Sequence, residues 1–400
     1  PGEFVDMNLA DNNWMTPEYD TQSWKKAQNV AMGIPWKIFS MMNSPWQLVQ
    51  STIPQMELSP QRILKTRIAK GISVPSTFPV TKTNITIPAN SNVILLLDQT
   101  YLTNAYPVVL YSKGKNASIS LRYAEGLYNE QYMKGNRNSI EGKTLIGRND
   151  SIICNGLDNQ IYTTLMWRTY RYLQLNIHTS KEPLILNDIY GVFTGYPFKN
   201  NTSFVTDRPL LDSILQIGWR TARLCANETY MDCPYYEQLQ YVGDTRIQAM
   251  ISYFNSGDDR LARNAITLID NSRFSEGFTQ SRYPTNQNNI IPPFSLHWIG
   301  MLHDYFKYRP DMEFVKSKLP GTRQILSFFA GYQQANGLLK DIPFWNFTDW
   351  AEGNPRSWKF GTPPSGKNGT SSVIDLQLLW AYQEAAELEN AVGMKALSDD

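Results

Sequence analysis

The spacing of apolar residues along this 400-residue chain changes once, near residue 205. Before that point the period is two. Ile85 and Ile87 flank Thr86; Ile119, Leu121 and Tyr123 alternate with Ser118, Ser120 and Arg122; Leu173, Leu175 and Ile177 alternate with Gln174 and Asn176. Such alternation sets one face against a core and the other in water. Gly, Pro and Asn punctuate the runs, so residues 61–204 are expected to form an antiparallel β-sandwich, closing around Gly195–Thr202. Residues 1–60 carry no long periodic run. Trp14, Trp24, Trp36 and Trp46 fall irregularly there, which fits the remnant of a further N-terminal, carbohydrate-binding-like sandwich.

After residue 205 the period becomes that of a helix. Leu210, Ile214, Ile217, Thr221 and Leu224 make one stripe, with Asp207 as the expected cap and Pro209 in the first turn. Further helical patterns cover about 244–255, 259–270, 295–308, 313–331 and 371–391. Six helices joined by long aromatic-rich loops suggest an (α/α)6 toroid, of which residues 205–400 supply the first half. The chain opens Pro-Gly-Glu-Phe and stops just after a helical pattern, so a fragment of a longer polypeptide is expected.

Composition narrows the function. A net charge of +1 and 18% charged residues leave no basic stripe for nucleic acid. The longest apolar runs, such as Val93–Leu97, are far too short to cross a bilayer. Cys154, Cys225 and Cys233 are odd in number, which excludes a complete disulfide framework. His178, His297 and His303 form no metal-binding pair, so no metal is expected. The 12% aromatic content suits both cores and platforms for the C–H faces of sugars.

The chemistry concentrates in M-D-C-P-Y-Y-E-Q-L-Q-Y-V-G-D, residues 231–244. Asp232, Glu237 and Asp244 fall close together among Tyr235, Tyr236 and Tyr241. Glycoside cleavage uses this mixture: a protonated carboxylic acid donates to the leaving oxygen while ionised carboxylates favour the positive charge at the anomeric centre. Singly, each residue has a plainer reading. Asp244 fits a helix N-cap, Asp232 a turn former beside Pro234, Glu237 a solvated acid, and the tyrosines a core. Trp298 lies on a helical pattern with Leu302 and Tyr305, which leaves core and sugar contact both open. Trp345 and Trp350 bracket Asp349 in a loop between Pro343 and Gly353, a better setting for a ligand platform. His297 and Arg282 are candidates for supporting such a site.

Together these residues resemble the signature of glycoside hydrolase family 78, the α-L-rhamnosidases. Asp232-Cys233-Pro234, Glu237 and Gly243-Asp244 match its Asp-Cys-Pro start, its Glu and its Gly-Asp close. The resemblance extends to Ser281-Arg282-Tyr283-Pro284, Phe294–Trp298, Trp345–Trp350, and to Trp167–Tyr172, which looks like the strand preceding the catalytic domain. It spans roughly residues 60–400. Tyr235-Tyr236 and Tyr241 stand where many members carry an Arg and a Trp, and the motif is about one residue shorter.

The resemblance implies inverting hydrolysis of terminal α-L-rhamnosyl bonds, without metal or organic cofactor. Glu237 would be the general acid. Asp232, Asp244, Tyr241, Trp298, Asp349, Trp350, Trp345 and Arg282 would bind the sugar. The family's general base and a sugar-binding His would lie beyond Asp400. The partner would be a rhamnose-containing glycan or glycoside, and the bacterial protein would be periplasmic or extracellular. A non-catalytic carbohydrate-binding protein, or another toroid glycosidase or lyase, is the alternative; the discriminating feature is a second acidic residue facing the pocket from a later part of the ring.

Overall fold

A computed structural model of the chain describes residues 2–10, 14–29, 34–35, 47–351, 358–366 and 369–400. The chain divides into two compact units, Pro1–Thr194 and Gly195–Asp400.

The first unit is built on strands β1 (Phe4–Asp6), β2 (Ile34–Pro35), β3 (Gln47–Leu48), β4 (Glu57–Gln61), β5 (Lys65–Lys70), β6 (Ile85–Ile87), β7 (Asn92–Lys113), β8 (Ser118–Ala124), β9 (Arg148–Ile153), β10 (Gln160–Thr163), β11 (Arg168–His178) and β12 (Leu184–Gly195). Ten of them form one sheet with the path β1-β9-β8-β11-β7-β12-β4; β5 and β10 also pair with β7, and β6 with β12. β2 and β3 form a small separate pair. The alternating triplets read from the sequence stand opposite one another. Leu173, Leu175 and Ile177 face Tyr123, Leu121 and Ile119 on one side and Leu97, Leu95 and Val93 on the other. All of these side chains are buried.

The 22-residue β7 explains the form of the sheet. Its first half pairs with β11 and β5, its second half with β12 and β10. Between the halves Thr100 takes a φ of 68°, and the registers of β5 and β11 slip at Thr66/Ile68 and Tyr170/Tyr172. Bulges bend a strand and increase its twist. The expected sandwich is therefore one curled, continuous sheet whose two halves share a core: Val93, Leu95 and Leu97 pack in the same cluster as Val109, Tyr111, Leu186 and Ile189.

Two expectations change here. Among the described residues before 61, β1 pairs in parallel with β9 and β4 lies beside β12, so both belong to the main sheet; Trp14 and Trp24 are exposed, and Trp36 and Trp46 lie outside the described residues. The strand that precedes the helical unit is β12, not the one beginning at Trp167-Arg168.

The second unit contains α1 (Pro209–Leu224), α2 (Val242–Asn255), α3 (Arg260–Asn271), α4 (Pro292–Tyr308), α5 (Met312–Ala330), α6 (Ser372–Ala391) and the short α7 (Lys395–Asp399). It begins ten residues before the change in period, because the non-helical lead-in is tied to the helices. The N–H of Tyr196 donates to Ala226 O at 2.9 Å and that of Asn201 to Asn255 O at 2.7 Å. The cap of α1 is Arg208 and no side chain caps it, so Asp207 does not take the expected role. The α1 stripe is also more exposed than its pattern suggests: Leu210 is 71% and Ile217 65% exposed, and only Leu224 is buried. α4 packs against α2 on one side and α6 on the other. It is accordingly buried over most of its surface, from Phe294 and Leu296 through Trp298, Ile299 and Leu302 to Tyr305.

Candidate active site

The loop 231–241 is held in one shape by its own polar groups. Asp232 N–H donates to Leu239 O at 2.8 Å, and Leu239 N–H returns to Asp232 Oδ1 at 2.9 Å. Glu237 N–H reaches Cys233 Sγ at 3.3 Å, and Gln238 turns the chain at a φ of 58°. A non-glycine residue in the left-handed region costs on the order of 1 kcal/mol or more and persists where its surroundings fix it. The buried Gln240 is the anchor: its side-chain amide donates to Tyr283 O at 2.7 Å while its Oε1 accepts from Tyr230 N–H at 3.1 Å. Tyr241 and Arg282 then meet in an antiparallel bridge.

Asp244 is not an N-cap. That position is Tyr241, and Asp244 sits in the first turn of α2, where the helix dipole favours a negative charge. Burial pushes its carboxyl above the usual aspartate value; its own backbone N–H opposes this, and the charges of Asp232, Glu237 and Asp349 add to it. Asp232 is both turn former and cavity wall, so its two readings do not compete.

These groups surround one concavity of about 570 Å³. Asp232, Glu237, Tyr241 and Asp244 contribute from the motif and the start of α2. Ile291, Phe294 and His297 come from the start of α4, Gln377 from the second turn of α6, and Trp345, Phe347, Thr348, Asp349, Trp350 and Trp358 from the long loop after α5. The helix ends that converge are N-terminal, which offsets part of the repulsion among the carboxylates. The aromatic wall is continuous: Tyr241 meets Phe294 edge to face at 6.3 Å, Phe294 meets Phe347 at 5.8 Å, and Phe347 meets Trp345 and Trp350 at 4.9 and 5.1 Å. Trp350 is 61% exposed, which leaves its indole open to a partner.

Glu237 Oε2 accepts from the Tyr241 hydroxyl at 3.0 Å, and that hydroxyl accepts from Arg282 Nη1 at 2.7 Å. Arg282 therefore stands behind Tyr241, not on the cavity wall. Burial raises the Tyr241 phenol, so it remains a donor. His297 is pushed down to about 4 by burial and then by the Arg246 charge, against the pull of Asp349, and is neutral near pH 7.

Trp298 is the clear correction among the expected sugar contacts. It is fully buried, its indole N–H donates to Ile266 O at 3.0 Å, and Arg273 stacks over its ring at 5.2 Å. It holds α4 against α3. The cavity also takes in Ile247, Ile291, Trp358 and Gln377, which the sequence did not single out, and Thr348, which it named only as part of the Trp345–Trp350 stretch. Gln377 Oε1 and Thr348 Oγ1 are buried and have no partner among the described residues, so they are available to a ligand. A helical Gln carries no sequence signal for such a place.

Away from the cavity, His303, Asp304 and Glu384 bring ligand-type atoms within 4.8 Å of one another. The Arg246 guanidinium already lies on both carboxylates, 2.5 Å from Asp304 and 3.5 Å from Glu384, and stacks over Trp380 at 4.4 Å. This cluster serves the packing of α2, α4 and α6. Among the described residues no helix is long and apolar enough to cross a membrane.

The bacterial α-L-rhamnosidase 6 hairpin glycosidase domain matches residues 199–399, half of the chain. No curated protein matches the sequence. Among solved structures, the GH78 family rhamnosidase of Bacillus sp. GL1 superposes with a TM-score of 0.68 at 22% identity, over 82% of this chain and 32% of that one. An α-L-rhamnosidase from Dictyoglumus thermophilum gives 0.71 at 15% identity, over 99% of this chain and 40% of its own. A Klebsiella oxytoca rhamnosidase with rhamnose bound gives 0.67 at 15%, over 87% and 70%. These similarities concern the fold, and the chain spans about a third of the length of the Bacillus enzyme. Through the domain that carries the acidic loop and the aromatic wall, the chain belongs to the bacterial α-L-rhamnosidase family of six-hairpin glycosidases.

Proposed function

We propose that this chain provides the sugar pocket and the general acid of an inverting α-L-rhamnosidase. The observation that carries the reading is the charge of the cavity wall. Four carboxylates, Asp232, Glu237, Asp244 and Asp349, line it, and among the described residues no Lys or Arg does. Such a wall disfavours an anionic ligand and favours a neutral polyol that becomes cationic as its glycosidic bond breaks. A volume of about 570 Å³ falls in the usual range for small-ligand sites, roughly 300–1,000 Å³. The Klebsiella oxytoca relative, with rhamnose bound, supports the choice of sugar. The methyl group of a 6-deoxy sugar suits the aromatic side formed by Phe294, Phe347 and the indoles.

In this reading Glu237 protonates the leaving oxygen. Asp232 and Asp244 hold sugar hydroxyls, and their charge steadies the oxocarbenium-like transition state. The neutral His297 and the unpartnered Gln377 and Thr348 complete the hydroxyl contacts. An inverting enzyme needs its base roughly 6.5–9.5 Å from the acid, and we place it in a later part of the ring. The alternation of α2, α4 and α6 as side-by-side neighbours, with α3 and α5 between them in sequence, supports half of an (α/α)6 toroid. The exposed stripe of α1 is a face that another helix of a closed ring would cover. Glycans of this class lie outside the cell, so we place the protein in the periplasm or beyond, and cell fractionation tests that.

The experiment is Glu237→Gln in the complete polypeptide, assayed on aryl α-L-rhamnosides of graded leaving-group acidity. Loss of a general acid costs about 10²–10⁴ in rate. The loss should be greatest on poor leaving groups and small on nitrophenolates. Equal losses across the series would remove Glu237 from this role. Rhamnose binding with no turnover in the wild type would instead favour a carbohydrate-binding protein.

A further inference from the structure

We propose that Tyr241 and Arg282 are a positioning pair for Glu237, fixing which of its two oxygens carries the proton. The inference rests on the reading of Glu237 as the acid and goes beyond it by naming what orients that acid.

The geometry leaves the Tyr241 hydroxyl little choice. A phenolic oxygen can accept and donate. Arg282 has no acceptor to offer, so its Nη1, 2.7 Å away, must donate to Tyr241. The single Tyr241 proton is then free to point at Glu237 Oε2, 3.0 Å away. The carbonyl oxygen of a carboxylic acid is a better acceptor than its hydroxyl oxygen, so this bond favours Oε2 as the carbonyl oxygen. The proton of the neutral Glu237 therefore sits on Oε1. The arrangement is held from behind: Tyr241 and Arg282 form a backbone bridge, Val242 N–H donates to Ser281 O at 2.9 Å and Tyr283 N–H to Gln240 O at 3.2 Å. The guanidinium also lies 5.4 Å from the centre of the Tyr241 ring. Pinning one long cationic side chain and one ring in this register gives the hydroxyl one orientation.

The consequence for the reaction is a defined proton path. The proton leaves Oε1 for the glycosidic oxygen as that oxygen takes the electron pair of the breaking carbon–oxygen bond. Glu237 is left as a carboxylate whose Oε2 already holds the Tyr241 hydrogen bond, with the Arg282 charge one bond further back. Water adds to the anomeric carbon and gives up its own proton to a base. The pair thus acts most strongly on the carboxylate, the state Glu237 reaches as the bond breaks. Among the described residues, the other charged or titratable groups facing the cavity are Asp232 from the same loop, Asp244 of α2, His297 of α4 and Asp349 of the loop after α5; Cys233 lies against the Glu237 backbone.

The test uses Tyr241→Phe, which keeps the ring and removes only the hydroxyl, with Arg282→Gln and the conservative Arg282→Lys. In this chain labelled with carboxyl-¹³C glutamate, the Glu237 resonance is identified by its absence in Glu237→Gln and followed against pH. In Tyr241→Phe its titration midpoint should rise by about one pH unit or more, the scale of one charge-assisted hydrogen bond. Arg282→Gln should raise it too, and Arg282→Lys less. In the complete polypeptide, Tyr241→Phe should move the alkaline limb of kcat/KM upward while slowing poor leaving groups more than good ones. A midpoint unmoved by Tyr241→Phe in a chain with wild-type thermal stability overturns the proposal. An unchanged rate in Glu237→Gln overturns the acid assignment instead, and leaves the titration result standing as a separate fact.

Discussion

His297 and Trp298 are adjacent in sequence and stand in the same stretch of the family resemblance, yet they do opposite things. Successive residues of a helix point about 100° apart, so when one faces the cavity the next turns into the helix packing. The imidazole lines the pocket and the indole fills the space against α3. The state of His297 makes a pH prediction. Its folded value of about 4 lies below the ordinary 6.5, so the unfolded chain takes up a proton that the folded one refuses. Its contribution is complete above about pH 6.5 and is lost as pH falls toward 4. The whole loss is at most about 3 kcal/mol, less where cavity water screens the ring. Urea unfolding of wild type and His297→Gln should therefore show the variant gaining relative stability between about pH 7.5 and 4.5. An identical gap at the two pH values would contradict the burial argument.

At the level of elements, α4 depends on a residue that a helix pattern would rather avoid. Gly300 lies in the middle of α4, where glycine costs roughly 1 kcal/mol relative to alanine in helix propensity alone. A methyl group there would run into the Trp380 ring of α6 and stand 2.6 Å from Arg246 Nη1 of α2. The missing side chain is what lets both neighbours close on α4, with Arg246 stacked over Trp380 at 4.4 Å. Gly300→Ala should therefore destabilise by about 1–3 kcal/mol, the usual effect of overpacking, although it raises helix propensity. Thermal unfolding decides between the two: a stabilised variant would mean that the three helices are less tightly packed at this point. The sequence did locate these helices. Expected bounds of 259–270, 295–308 and 313–331 became 260–271, 292–308 and 312–330. Propensity and periodicity are local, and so they mark where a helix runs without saying what crosses it.

On the scale of the whole molecule, the strand unit is tied at one margin by a buried ionic group. Arg168, 3% exposed, grips Asp150 with two bonds of 2.8 Å and reaches Glu3 at 2.9 Å, so that β11, β9 and the N-terminal segment meet in one network. Removing one partner of a buried pair strands the other charge, which costs about 3–5 kcal/mol. Arg168→Leu should destabilise the protein on that scale in thermal or urea unfolding. Arg168→Leu with Asp150→Asn should recover much of the loss, because the fully buried charge is then gone and only the partly exposed Glu3 is left without its partner. A double variant no better than the single one would show that hydrogen-bond geometry, more than charge, is what the network supplies. Arg168 belongs to a stretch whose sequence resembles the rhamnosidases, and its place here is structural.

Two kinds of architecture, the neighbourhood in which one gives way to the other, and a short acidic loop resembling that of the rhamnosidases were all legible along the chain. Each of these is written in neighbours: a period of two or 3.6, a turn residue, three carboxylates within thirteen positions. Folding added everything that depends on residues far apart along the chain. It joined the strands into one curled sheet through β7, where the pattern alone suggested two layers. It drew the lead-in at 195–208 to the helices, set Arg282 behind Tyr241, and turned Trp298 inward. It also brought Gln377 and Trp358 to the cavity, although nothing in their own surroundings announces a site. The physical reason is the same in each case. A local pattern fixes which face of an element is apolar, but the cavity is made by the rotation and approach of α2, α4 and α6, and those are set by side chains that meet only after the chain has folded.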